Sequence, residues 1–100
     1  MQYRYFASSF NEVVEQFQNN YGKENILFAE KQKDFENILL NLKQYKKQYK
    51  AIVLEAFLFF DILTEDNIYQ IKSLEKYFEY IVFSGKNIDQ LILKIKKFVK

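Results

Sequence analysis

Lysines at 43, 46, 47 and 50 and carboxylates at 75 and 79 are the residues whose spacing could do chemistry. Lys43, Lys46, Lys47 and Lys50 recur at i, i+3, i+4 and i+7, which on a helix makes one basic stripe flanked by Tyr45 and Tyr49. Such a stripe could meet phosphate or an acidic partner, since bases beside aromatics serve nucleic acid as well as protein. Lys94, Lys96 and Lys97 form a second basic group near the end of the chain. Glu75 and Glu79 stand one helical turn apart, but Lys72 and Lys76 interleave with them, so the expected state is an ion-paired, solvated face rather than an acid–base pair.

The chain has no His and no Cys among its 100 residues. Imidazole bases, Ser–His and Cys–His nucleophiles and the usual zinc sites are thereby excluded. No glycine-rich phosphate loop is present, only two Gly in all. Asp61, Glu65 and Asp66 cluster around a turn and read as helix caps rather than a cation site. A non-enzymatic protein with no cofactor and no metal is the expectation.

These groups need elements to hold them. With 49% apolar residues, eleven Phe, eight Tyr and no Pro, the composition supports one domain over residues 1–100 with an ample core and few loops. Phe35, Ile38, Leu42, Tyr45, Tyr49, Ile52, Val53, Ala56, Phe59, Phe60 and Leu63 are spaced by threes and fours, which predicts one long helix over 35–63. That helix would measure roughly 43 Å, against a radius of gyration of about 13 Å for a compact chain of this size. Its overhang could be covered by a second copy, so a homodimer is one expectation. Its second half carries Leu54, Phe57, Leu58 and Asp61 opposite the apolar arc. This is the candidate partner-binding surface, because large apolar patches mark interfaces.

Around this helix the sequence predicts three more. Ser9 and Glu12 form a Ser-x-x-Glu capping box ahead of Phe10, Val13, Val14, Phe17 and Tyr21, and Gly22 ends that helix. A helix start or kink is expected near 30–34, where Lys31 and Asp34 interrupt the apolar arc. Thr64 caps a third helix through Ile68, Ile71, Leu74, Phe78, Ile81 and Val82. Asn87 caps a fourth, with Ile88, Leu91, Ile92, Ile95, Phe98 and Val99 on its apolar face. The expected fold is all-α, an antiparallel bundle of about four helices around the long central one. The alternative is a small α/β domain with strands near 2–7 and 79–84.

Charge alternates along the chain: seven bases against four acids in residues 23–50, two against six in 51–85, five against one in 86–100. That pattern suits complementary helices better than a dedicated nucleic-acid surface. No stretch reads as a signal peptide or a membrane span, so a cytoplasmic location is expected, and membrane-surface contact by the basic last helix is not. In size, charge and expected helix content the chain loosely resembles the bacteriocin-immunity four-helix bundles, a likeness of general character rather than of motif. The expected function is stoichiometric binding to a protein partner, as a small microbial, phage or plasmid-encoded inhibitor, immunity or adaptor protein. The alternative is a nucleic-acid-binding regulator using the lysines of helices two and four.

Overall fold

The computed structural model describes residues 2–44, 49–59, 65–86 and 88–98. The chain alternates strand and helix: β1 (Gln2–Phe6), α1 (Phe10–Tyr21), β2 (Ile26–Ala29), α2 (Gln32–Asn41), β3 (Tyr49–Glu55), α3 (Glu65–Ser73), β4 (Phe78–Ser84) and α4 (Ile88–Phe98). The four strands are parallel and lie in the order β1-β4-β3-β2. The architecture is therefore α/β, not the all-α bundle the periodicity suggested, and the likeness to four-helix immunity bundles falls with it.

The long helix over 35–63 is replaced by α2, a 3₁₀ turn at Leu42–Gln44 and the strand β3. Phe35, Ile38 and Leu42 do share one helical face, Phe35 and Leu42 buried and Ile38 partly so. The same spacing then runs on into Ile52 and Val53, which are in a strand. A parallel strand buried on both sides is apolar on both sides, so Ala51, Ile52, Val53 and Leu54 show no alternation. Over so short a run, such a strand and a buried helix cannot be told apart by period. The expected third helix is also split. It ends at Ser73, a 3₁₀ turn follows at Leu74–Lys76, and Tyr77 redirects the chain into β4. No Gly or Pro was needed there, because a 3₁₀ turn closed by Tyr77 N–H on the Leu74 carbonyl at 3.0 Å reverses the chain with ordinary residues. Strands near 2–7 and 79–84, the alternative reading, are both present.

Three local expectations are met: the Ser9 half of the Ser9–Glu12 box, the Gly22 stop and the start of α2. Ser9 Oγ accepts from the Glu12 N–H at 3.4 Å at the start of α1. Gly22 closes that helix with φ of +93° and its N–H on the Gln18 carbonyl. α2 begins within the expected window, with the Lys31 N–H held by Asp34 at 3.2 Å. The expected caps Thr64 and Asn87 lie outside the described residues.

Helices close both faces of the sheet unequally. α1 packs Phe10, Val13, Val14 and Phe17 on Ile26, Ala51, Val53 and Val82. α2, α3 and α4 pack Phe35, Ile68, Ile71, Ile88, Leu91 and Ile95 on Ile52, Leu54, Ile81 and Phe83. Right-handed crossovers require this division. The β1-to-β2 connection crosses the whole sheet in one sense, and β2-to-β3-to-β4 steps back in the other. The resulting body measures 30 × 28 × 25 Å with a radius of gyration of 12.5 Å, and without the long helix the overhang behind the dimer expectation does not exist. No helix among the described residues is long and apolar enough to cross a membrane.

Candidate functional site

The expected surface of Leu54, Phe57, Leu58 and Asp61 is not assembled as one helical arc. Leu54 is fully buried in β3 beneath the helices, and Leu58 is half-buried against the same core. The Phe57 side chain and Asp61 lie outside the described residues. The lysine stripe is likewise dispersed: Lys43 stands exposed in the 3₁₀ turn after α2, Lys50 is in β3, and Lys46 and Lys47 lie outside the described residues. Lys50 holds Glu79 at 3.0 Å and sits over the rings of Tyr21 and Tyr80 at 4.9 and 5.3 Å. The Glu79 carboxylate raises the Lys50 pKa and keeps its charge engaged. Lys94, Lys96 and Lys97 are exposed on α4, whose apolar face is committed to the core through Ile88, Leu91 and Ile95. Glu75 and Glu79 do not share a helical face. Glu75 accepts the Tyr3 hydroxyl at 2.8 Å from the far end of the chain.

With its acids drawn away, the face that carries Lys72 and Lys76 has a different character. The C-terminal ends of α2 and α3 stand side by side and enclose a cleft of about 430 Å³. Leu39, Leu42 and Lys43 line one side; Tyr69, Lys72, Ser73, Lys76 and Tyr77 line the other. Tyr69, Lys72, Ser73 and Lys76 come together because they recur at i, i+3, i+4 and i+7 along α3 and its 3₁₀ extension. Among the described residues the lining contains three ammonium groups and no carboxylate. Ser73 Oγ is committed to the Gln70 carbonyl at 2.6 Å, so the cleft's polar character comes from the lysines and the tyrosine hydroxyls. The carbonyl ends of two helices carry roughly half a negative charge each, which offsets only part of three positive charges. Tyr69, which lines the cleft, is 75% exposed, so the lining reaches out to the surface.

By spacing alone Lys72 and Lys76 pair with Glu75 and Glu79, which hides this site in the sequence. The i, i+3, i+4, i+7 row beginning at Tyr69 was the available signal.

Open parallel sheets usually hold small ligands at the carboxyl ends of their strands, where neighbouring connections diverge to opposite faces. Here that crevice lies between β1 and β4. Ser84 at its base is fully buried, its Oγ without a hydrogen-bond partner, and Gly85 above it has φ of +153° with its N–H on the Phe6 carbonyl. A hydroxyl sealed from solvent presents nothing to a ligand. Among the described residues no group of three potential metal ligands occurs. The lysine-lined cleft sits at the opposite, amino-terminal edge of the sheet. Compared with family models, curated proteins and solved structures, the chain matches none, so its function has to be argued from this cleft.

Proposed function

We propose that this is a non-enzymatic protein-binding module that engages a protein partner stoichiometrically at the cleft between the ends of α2 and α3, as an inhibitor, immunity or adaptor protein does. The cytoplasm is its proposed place of action. The observation that carries the reading is the cleft itself: three lysines with no acid among the described lining residues, beside Leu39 and Leu42, and a lining tyrosine, Tyr69, exposed by three-quarters. Exposed aromatic and aliphatic groups beside a concave, partly apolar surface are what protein interfaces use as anchors. A nucleic-acid ligand is the second reading, favoured by one observation: Tyr69 stands exposed beside lysines, where a base could stack.

Native mass spectrometry of the chain isolated from its own host tests the first reading, with a Tyr69→Ala/Lys72→Glu variant in parallel. The wild type is expected as a stable heteromer and the variant as the bare chain, with both unfolding at the same urea concentration. A bare mass for the wild type, or a heteromer that survives in the variant, would overturn it.

A further inference from the structure

The chemistry of the cleft also specifies what kind of segment it takes. We infer that it receives a short acidic stretch of a partner protein, with one bulky apolar side chain seated on Leu39 and Leu42 between Tyr69 and Tyr77 and flanking carboxylates facing Lys43, Lys72 and Lys76. This inference rests on the protein-binding reading above.

Four observations converge on it. Charge comes first: the lining offers three cations and no anion, so the complement is anionic and multiply charged. Second, Leu39 and Leu42 are part of the wall, Leu42 buried and Leu39 half-buried against the core. Phosphates alone would leave that floor wet, whereas an aliphatic or aromatic side chain would dry it. Third, about 430 Å³ is at the small end of ligand sites and suits one large side chain with its neighbours rather than a cofactor. Fourth, Tyr69 lines the cleft and is 75% exposed, so it carries the apolar lining out to the rim, where an extended chain can follow it and a small anion cannot. Because its walls are the ends of two helices packed into the core, the cleft is preformed, which lowers the entropic cost of binding.

The probe is a synthetic octapeptide, Phe-Leu with three alternating Asp and Glu on each side, titrated into the full-length protein and followed by NMR. A second peptide replaces every acid by Asn or Gln, and an octathymidylate serves as the nucleic-acid comparison. The acidic peptide is expected to shift the signals of Leu39, Leu42, Tyr69 and Tyr77. It should bind about tenfold or more tightly than the neutral one and weaken as salt rises from about 50 to about 300 mM. Lys72→Glu and the milder Lys76→Gln should each weaken it while leaving the shifts of the buried sheet residues in place. Equal binding of the acidic and neutral peptides overturns the inference, as does no shift at about 2 mM peptide. Tighter binding by octathymidylate overturns it in favour of nucleic acid. If the host heteromer persists while the acidic peptide fails, the protein-binding reading stands and only the acidic-segment inference falls.

Discussion

One face of the sheet is closed by three helices and the other by α1 alone, and the two faces solve the problem of covering four strands differently. A helix is about 10 Å wide and four strands span about 19 Å, so a single helix covers roughly half of the sheet's width. On the three-helix face the strands are covered by aliphatic and aromatic side chains, with Tyr3 and Tyr5 stacked on Phe83 at 6.4 and 5.7 Å. On the α1 face the middle of the sheet lies under Phe10, Val13, Val14 and Phe17, with Phe6 and Tyr80 packed beside them and cations over the flanking rings. Arg4 lies over Tyr80 at 5.2 Å, and Lys50 spans the Tyr21 and Tyr80 rings. Long basic side chains can cover apolar surface while their heads stay wet. The lesson is that a basic residue beside an incompletely covered sheet takes part in its cover, so Lys50 lies over the sheet's rings whereas Lys72 and Lys76 line an open cleft.

That contrast sets an order of expected effects. Phe83→Ala, on the three-helix face, should cost about 3–5 kcal/mol, a large share of the roughly 5–15 kcal/mol that holds a domain of this size. Val82→Ala, its neighbour on the α1 face, should cost about 2 kcal/mol. Urea unfolding measures both losses, and equal losses, with far fewer atoms removed from Val82, would mean that α1 alone packs its face more tightly than three helices pack theirs.

A smaller effect is expected at Tyr3. Its hydroxyl bonds Glu75, and burial together with that carboxylate holds the phenol well above its ordinary pKa of 10.0. Tyr3→Phe should cost about 1 kcal/mol near neutral pH. The sign of the pH dependence follows from the raised value. Above about pH 10 the unfolded chain sheds the phenolic proton while the folded chain keeps it, so this contribution is complete below pH 10 and is lost as pH climbs beyond it. The stability difference between wild type and Tyr3→Phe, measured from pH 8 to pH 11, should therefore narrow at the alkaline end. The smallest effect belongs to the α1 face: Lys50→Met should shift the melting temperature by less than about 4 °C, because an ion pair with Glu79 this open to solvent is well screened. A shift above that would promote the Lys50–Tyr21–Tyr80 cluster from cover to core.

The helices and the core were more legible in the sequence than the sheet was. α1 announced itself through Ser9, Glu12 and Gly22, and α4 through Ile88, Leu91 and Ile95, because each is wet on one side and its period survives. β3 and β4 are sandwiched, so Ile52, Val53, Ile81 and Val82 are all fully buried and no period remains to be read. Their β-branched pairs were the residual strand signal. The cleft was obscured for a related reason. Glu75 and Glu79 are near Lys72 and Lys76 along the chain, but Tyr77 turns Glu79 into a strand toward Lys50, and Glu75 answers Tyr3. Pairing by sequence distance cannot anticipate partners supplied by a sheet.

The position of β1 has a consequence for how the protein is made. Its register partners run from Tyr80 to Ser84, so β1 has no neighbour until a segment about 78 residues further along the chain has been synthesised. At common elongation rates of about 5–20 residues per second, β1 waits roughly 4–16 s. Meanwhile β3 can pair with β2 and β4 with β3 as each is made. Translation therefore builds this sheet from the β2 edge towards β4, and β1, aromatic and unpaired in the interval, is the segment a nascent-chain chaperone would have most reason to hold.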